Sequence, residues 1–284
     1  MAANNDTTVR GRRLGAELRR LRMASGLTGT QVAAHLLVSQ AKVSHMETGR
    51  RAVSPRDVRD LCTLYGVTDQ DVVDSLTELA RESGRHGWWY AYGDIPHSVY
   101  VGLEAEAASI AAFEAMVIPG LLQTPAYAAA VIEETIPLVT VEQAAARLRV
   151  RLRRQHRLYD PARRLHLRVV LDESALRRIV GSREIMREQL EHLHTLSTEP
   201  HITVQVLPHT AGAHPGLAGQ FSLLRFPGSR EAVVYLERFT SGLCLERPAD
   251  VQQYNAVYAH LRAQALSPGH TRHFITDTIK LYTA

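Results

Sequence analysis

Apolar residues recur at helical spacing in short stretches of residues 26–51. Thr28 and Ser39 each suit an N-cap position, because a hydroxyl oxygen accepts a hydrogen bond from a free backbone N–H of the first turn. After Ser39, Val43 and Met46 lie three residues apart and fall on one face. The pattern predicts two short helices joined by a tight turn.

The second of these helices, from Ser39 to about Thr48, leaves a polar and non-acidic set of side chains facing outward. That set comprises Gln40, Ala41, Lys42, Ser44 and His45. Amide, ammonium, hydroxyl and imidazole groups read base edges or hold phosphates. An ordinary helical hairpin inside a globular core is the alternative. The surrounding helices and charges favour a helix that lies in the major groove of DNA.

Three further helices are predicted around this pair. The first covers about residues 12–25, with Leu14 and Leu18 on one face. Ser54 and Pro55 suit the start of the fourth helix, because Pro is favoured at the first helical position. The fifth begins near Asp69. The N-terminal part is therefore predicted to be all-α, with five helices.

Positive charge concentrates in the same region, although the whole chain has a net charge of only +4. Residues 1–60 contain eleven Lys and Arg but five Asp and Glu. Arg50 and Arg51 follow Gly49, where side chains are well placed to hold phosphates beside the groove. This local excess favours a polyanionic partner, without separating DNA from RNA.

Residues 14–65 resemble the XRE (Cro/repressor-type) helix-turn-helix domain. The segments that carry the resemblance are LGAELRRLRMASGLT, QVAAHL, VSQAKVSHMETGRR and SPRDVRDLCTLYGV. The resemblance implies a homodimer on a double-stranded DNA operator. It also implies that Arg22 pairs with Glu47 as a structural ion pair, and it places Thr28 among the DNA contacts.

Two positions depart from the family pattern. Gly29 stands where the family often has a glutamine that contacts phosphate, and Gln31 lies two places further on. Leu37 occupies the turn between the two helices, where glycine is frequent. We therefore expect either an unusual backbone conformation at Leu37 or a different turn.

The composition changes sharply in residues 81–98, which separate a predicted DNA-binding domain (1–80) from a predicted regulatory domain (99–284). Trp88, Trp89 and Tyr92 lie here. They suit the wall of a ligand pocket or a stacking platform for bases. A hinge whose aromatic side chains anchor one domain on the next is the other interpretation, and the scarcity of interleaved basic residues favours it.

The C-terminal part mixes both periodicities. Residues 103–113 and 141–159 are predicted helices, and the second is rich in arginine, which suits a solvated or acid-paired face or a second nucleic-acid contact. Short β-runs between 165 and 245 are separated by Pro and Gly turns. Because the crossovers look too short for repeated βαβ units, we predict an α+β fold with helices around a mostly antiparallel sheet.

This half resembles the large C-terminal domain that follows such helix-turn-helix modules in actinobacterial regulators. The motifs include GWWYAYGD, VGLEAEAASI, VIPGLLQTPAYA, VVLDESALRR and AGAHPGLAGQFSLLRF. That domain has no agreed biochemical activity. The resemblance implies regulators of development or secondary metabolism, many encoded beside a very small partner protein and grouped with antitoxin-like regulators.

The sequence offers little for catalysis or metal binding, so we expect no enzyme, cofactor or metal site. His209 and His214 flank a loop with no carboxylate at ligand spacing nearby in the sequence. Asp172 and Glu173 are adjacent at a predicted helix start, where they suit capping better than paired acid–base chemistry. Motifs such as HExxH, GxSxG and Walker A are absent.

Cys62 and Cys244 lie far apart, which favours reduced thiols. The chain has neither an apolar run of about 18 residues nor an N-terminal apolar leader. These features predict a cytoplasmic, nucleoid-associated protein with no membrane partner.

Taken together, these patterns predict a homodimeric, sequence-specific DNA-binding transcriptional regulator. Its C-terminal domain would sense a small ligand or a small protein partner. The alternative is an antitoxin-like protein that sequesters a small partner and binds DNA only for autoregulation.

Overall fold

A computed structural model describes residues 9–83, 88–92, 98–137, 139–227, 232–239 and 241–283. The chain divides into two compact units, Met1–Gly93 and Asp94–Ala284. No helix in these described ranges is both long and apolar enough to span a bilayer.

Five α-helices form the described part of the first unit. They are α1 (Val9–Ala24), α2 (Gly29–His35), α3 (Gln40–Glu47), α4 (Pro55–Leu64) and α5 (Gln70–Ser83). Their apolar faces meet in one core, in which Leu14, Val32, Val43, Met46 and Leu61 are each at most 3% exposed. The helical periodicity read from the sequence predicts these elements, with ends shifted by one to three residues.

Helix α1 crosses α3 at very close range. A Cβ atom built on Gly15 would lie 2.5 Å from the carbonyl oxygen of Met46 and 2.7 Å from that of Glu47. At the end of α3, Gly49 has a φ of 68°, and a Cβ there would lie 2.7 Å from the Arg12 backbone. Two glycines therefore allow α1 to rest directly on the C-terminal end of α3.

Seven α-helices and six strands form the described part of the second unit. The helices are α6 (Ser98–Glu106), α7 (Pro125–Thr135), α8 (Val141–Gln155), α9 (Glu173–Arg177), α10 (Arg183–Leu196), α11 (Pro248–Gln264) and α12 (Pro268–Lys280). The strands are β1 (Ser109–Glu114), β2 (His166–Asp172), β3 (Ile202–Leu207), β4 (Phe221–Arg225), β5 (Ala232–Glu237) and β6 (Gly242–Leu245).

The six strands form one mixed sheet in the order β3-β2-β1-β4-β5-β6. Strand β1 pairs in parallel with β2, and β2 in parallel with β3. The remaining pairings, β1 with β4, β4 with β5 and β5 with β6, are antiparallel. The prediction of a mostly antiparallel sheet is therefore wrong.

One physical reason lies in β1. Residues 103–113 were predicted as one helix, but α6 ends at Glu106 and the central strand begins at Ser109. Once β1 is counted as a strand, α7 and α8 form a long crossover from β1 to β2. Independently of β1, α9 and α10 form a crossover from β2 to β3, which the sequence reasoning judged too short. Such helical crossovers are what parallel pairing requires.

The two faces of the sheet differ in character. On one face Phe113, Leu223 and Val234 pack against Tyr258 and Leu261 of α11 in a closed apolar core. On the other face the alternate strand residues line a cavity, together with residues of α6 and α8.

Candidate functional site

The helix pair α2–α3 begins with well-formed N-caps. Thr28 Oγ1 accepts a hydrogen bond from the backbone N–H of Gln31 at 3.3 Å, and Gln31 Oε1 accepts one from the Thr28 N–H at 2.8 Å. At α3, Ser39 Oγ accepts a hydrogen bond from the Lys42 N–H at 3.2 Å. The side-chain oxygen of Gln31 is thus engaged in capping α2.

Helix α3 separates a buried face from an exposed one. Val43 and Met46 are each 3% exposed and belong to the core of the unit. Lys42 is partly buried. The remaining predicted contact residues of this helix, Gln40, Ala41, Ser44 and His45, are all solvent exposed. The helix therefore presents a polar surface that carries no carboxylate.

The turn before α3 has an unusual backbone. Leu37 is the one non-glycine residue with positive φ among the described residues, at 55°, and its side chain is 92% exposed. A left-handed conformation costs an L-residue roughly 1–2 kcal/mol relative to the right-handed region. The turn therefore keeps the geometry for which glycine is suited.

Arg22 and Glu47 form a bidentate ion pair between α1 and the end of α3. Arg22 Nε lies 2.6 Å from Glu47 Oε1, and Nη2 lies 3.0 Å from Oε2. Arg22 Nη1 also donates to the Leu27 carbonyl at 2.8 Å. The side chains are 14% and 10% exposed, and the Glu47 hydrogen bond raises the pKa of Arg22. The acid of α3 is thus neutralised from within the unit.

Two arginines flank α3 on its C-terminal side. Arg50 and Arg51 are exposed, and the backbone N–H of Arg51 donates to the His45 carbonyl at 3.1 Å. This bond holds the start of the loop against the helix. Two exposed cationic residues therefore follow directly on the C-terminal end of α3.

The three aromatic residues singled out in the sequence form a local cluster. Trp88, Trp89 and Tyr92 lie in a short 3-10 helix, Trp88–Tyr92. The ring centroid of Trp88 lies 5.8 Å from that of Trp89 and 6.0 Å from that of Tyr92, with the rings nearly perpendicular. None of the three is among the residues that line the cavity of the second unit.

That cavity has a volume of about 600 Å³, which lies within the usual range of small-molecule sites. Apolar side chains form much of its wall, including Ile110, Val131, Val150 and Val169. Its acidic and basic lining consists of four arginines and three glutamates. They are Arg147, Arg151, Arg154, Arg238, Glu104, Glu114 and Glu237.

One buried ion pair anchors the cavity wall. Arg154 Nε and Nη2 donate to Glu104 Oε1 and Oε2 at 2.6 and 2.7 Å. The Arg154 side chain is 15% exposed and that of Glu104 is 1% exposed. Tyr100 stacks over the same guanidinium, with its ring centroid 5.3 Å from Arg154 Cζ. Bidentate geometry and burial make this pair structural.

Glutamine side chains fix the loop that closes one side of the cavity. Gln123 Nε2 donates to the Ile118 carbonyl at 2.6 Å, and Gln155 Nε2 donates to the Gly120 carbonyl at 3.0 Å. Gln189 Nε2 donates to the Leu122 carbonyl at 2.7 Å. The VIPGLLQT segment recognised in the sequence is therefore a pinned wall of the cavity.

Two ionisable groups in the wall have pKa values shifted towards the neutral form, and neither makes an ion pair among the described residues. Arg151 Nη1 donates to Gln123 Oε1 at 2.9 Å, and burial together with Arg154 lowers the pKa of Arg151 to about 10. Burial together with Glu237 raises the pKa of Glu114 to about 8. Both shifts reflect the cost of a charge that lacks an opposite partner.

A second polar cluster lies where β2 and β3 end. Asp172 Oδ1 accepts from the Ser174 N–H at 2.8 Å and so caps α9. His209 Nε2 lies 3.0 Å from Ser174 Oγ and 3.6 Å from Asp172 Oδ1, and His214 Nε2 lies 3.6 Å from Asp172 Oδ2. The two histidines thus do have a carboxylate neighbour. The described residues nevertheless contain no set of ligands arranged for a metal ion.

Sequence reasoning missed the charged cavity. Its signal was present in α8, where Arg147, Val150, Arg151 and Arg154 recur at positions i, i+3, i+4 and i+7 and therefore share one helical face. The glutamates opposite them come from α6, β1 and β5, so only the folded sheet brings the set together.

Comparison with family models identifies the class of the N-terminal part of the chain. A model described as a helix-turn-helix domain matches residues 13–87, which include all of α2 and α3. The chain therefore carries a helix-turn-helix domain, and this domain implies DNA binding by a transcriptional regulator.

A second model, described as a domain of unknown function (DUF5753), matches residues 98–277. This match covers more than half of the chain, so the protein belongs to the DUF5753 family. The two matches confirm the recognition of a helix-turn-helix regulator with an uncharacterised C-terminal domain. Comparisons with curated proteins and with solved structures gave no match.

Proposed function

We propose that the protein is a sequence-specific, XRE-type transcriptional regulator that acts as a homodimer, with α3 inserted in the major groove of its operator. The observation that carries this proposal is the division of α3 into a buried apolar face and an exposed polar face without carboxylates. A recognition helix needs both, because one face holds it on the domain while the other meets base edges.

The residues divide by role. Gln40, Ala41, Lys42 and His45 read base edges, since amides pair with adenine and cationic groups with guanine. Thr28, Ser39, Ser44, Arg50 and Arg51 hold the phosphate backbone. The Arg22–Glu47 pair fixes α3 on α1 and removes the acid of α3 from the DNA-facing charge.

A gel-shift assay on the protein's own promoter tests base reading. Truncation of Gln40 to Ala removes a bidentate amide, so we expect a loss of about 1–3 kcal/mol and a relaxed preference for the operator. Gln253→Ala, an exposed glutamine of α11, is the matched control and should bind as the wild type does. Equal binding of Gln40→Ala and wild type to every duplex would remove base readout by this residue.

We propose residues 1–80 as the DNA-binding domain, 81–98 as the junction and 99–284 as the sensory domain. Of the two signals considered, a small ligand is favoured over a small protein, because the second unit contains a cavity of about 600 Å³. Trp88, Trp89 and Tyr92 serve as an anchoring cluster at the junction in this proposal.

The antitoxin-like alternative has a test of its own. It predicts that a small protein co-purifies with the chain at fixed stoichiometry. It also predicts that, once this protein is removed, small ligands do not change DNA binding. Light scattering on the purified chain tests the proposed homodimer.

A further inference from the structure

We propose that the cavity of the second unit binds a small organic acid, whose apolar body fills the space against the sheet and whose carboxylate is held by Arg147 and Arg151. This inference deepens the proposed sensory role and depends on that role only for its regulatory meaning. The charges and the apolar walls of the cavity support it.

The first step is the balance of charge inside the cavity. Glu237, Arg238 and Phe239 line it but are solvent exposed, so the cavity opens to solvent beside the end of β5. The charged residues further inside are three arginines of α8 and the two glutamates Glu104 and Glu114. The interior therefore carries more cationic than anionic side chains.

The second step concerns which of these charges are already paired. Glu104 is fully engaged by Arg154 through two short hydrogen bonds. Among the described residues, no carboxylate forms an ion pair with Arg147 or Arg151, and the hydrogen bond of Arg151 goes to the neutral amide of Gln123. The exposed Glu237 attracts Arg151 from the mouth of the cavity, yet the pKa of Arg151 stays lowered. Both side chains are partly buried, and taking a cation out of water is costly without an anion. Two adjacent guanidinium groups on one helical face therefore offer a site for one.

The third step selects the body of the ligand. The walls around the two arginines are mostly apolar, with Ile118, Val131 and Ile136 on one side and Ile110 and Val169 on the sheet. A bare inorganic anion would leave this apolar surface uncovered. An acid with a hydrocarbon or aromatic body covers it and places its carboxylate at the bidentate donors that guanidinium groups provide.

Two series of probes with matched bodies test the charge requirement on the full-length protein. The first is naphthalene-1-acetate, 2-(1-naphthyl)ethanol and 2-(1-naphthyl)ethylamine, and the second is decanoate, 1-decanol and decylamine. By isothermal titration calorimetry, we expect at least one acid to bind about 10-fold or more tightly than the alcohol and amine of its series.

Variants of α8 locate the site. Arg151→Met and Arg147→Met should each weaken acid binding about 10-fold while alcohol binding stays unchanged, because only the charge-assisted contact is lost. Arg153→Met, an exposed arginine of the same helix outside the cavity lining, should change neither. The alcohol is also the folding check, since its binding needs an intact cavity. If one of the two variants also loses alcohol binding, its cavity is damaged, and acid binding by the other variant provides the test.

Three results would overturn the proposal. They are acids that bind no more tightly than their alcohols, an Arg153→Met effect as large as that of Arg151→Met, or no acid binding at a Kd below about 1 mM. The calorimetry contains no DNA. A failure here therefore leaves the DNA-binding proposal intact, and a failure of the Gln40→Ala gel shift leaves the cavity assignment intact.

Discussion

The residues of α3 meet two different requirements, burial on its inner face and solvent exposure on its outer face. Val43 and Met46 must be apolar because they are buried in the core, and any side chain compatible with a helix satisfies packing at Gln40 and Ser44. The apolar spacing in the sequence therefore predicts which face of α3 points inward. The identities on the outward face are free of packing and reflect the partner instead.

The Arg22–Glu47 pair ties the end of α3 to α1. Arg22→Met leaves the Glu47 carboxylate buried without a partner, so we expect a loss of about 3–5 kcal/mol in the free energy of unfolding. Urea denaturation followed by circular dichroism measures it. The double variant Arg22→Met/Glu47→Leu should recover most of the loss, because no charge is then left buried.

Arg20 provides the matched control, since it pairs with Glu17 on the exposed side of the same helix. Arg20→Met should cost no more than about 0.5 kcal/mol. A similar loss of unfolding free energy for Arg20→Met and Arg22→Met would show that the Arg22–Glu47 pair matters no more for stability than an exposed ion pair.

Glu114 gives the second unit a pH dependence whose sign follows from its pKa. Burial and the neighbouring Glu237 raise the pKa of Glu114 to about 8 in the folded protein, compared with about 4.3 in an unfolded chain. Between these values the folded state holds a proton that the unfolded state has lost, so stability falls as pH rises through this window. The charged and titratable groups around it are Glu237, Arg154, Arg151, Arg147, Glu104, Tyr100 and Tyr235.

Glu114→Gln removes the titrating proton and should stabilise the protein at pH 8.5 by about 1–3 kcal/mol, with little effect at pH 5. Urea denaturation midpoints at the two pH values measure the difference. Glu188→Gln, an exposed glutamate of α10, should leave the pH profile unchanged. A wild-type profile identical to that of Glu114→Gln would refute the assignment.

At the level of elements, local signals and long-range pairing were predictable to different degrees. The N-caps Thr28, Ser39 and Ser54 all accept the expected backbone hydrogen bonds, because capping depends on residues only three positions apart. Strand β1, SIAAFE, was missed because alanines favour helices. Its position in the middle of the sheet overrides that preference, and its loss from the prediction also hid the parallel pairing of β1 with β2.

The packing of α1 on α3 gives a prediction at this scale. Gly15→Ala places a methyl group 2.5 Å from the Met46 carbonyl oxygen, and backbone cannot yield as a side chain does. We expect a loss of stability of about 1–3 kcal/mol. Thermal denaturation measures it, with Gly29→Ala as control, because the nearest atom there is the Gln40 side chain at 3.9 Å. Equal stability of both variants would contradict the close crossing.

For the whole molecule, the sequence predicted a helix-turn-helix regulator with an uncharacterised second half, and both family matches confirm this. It did not predict the cavity. Arg151 and Glu114 lie 37 positions apart in the sequence, and the site exists only where α8 covers the face of a sheet whose central strand was not recognised. The same holds for Asp172 and His209, which the parallel ends of β2 and β3 bring together.

The central claim is that α3 reads base edges from the major groove, and methylation interference on the operator tests it most directly. Once a genomic footprint has located the operator, dimethyl sulfate methylates guanine N7 in the major groove. We predict that this blocks binding at two clusters about one helical turn apart, as expected for a dimer with one recognition helix per half-site. Binding that tolerates methylation of every guanine N7, or that is blocked only by modification of minor-groove positions, would contradict the claim.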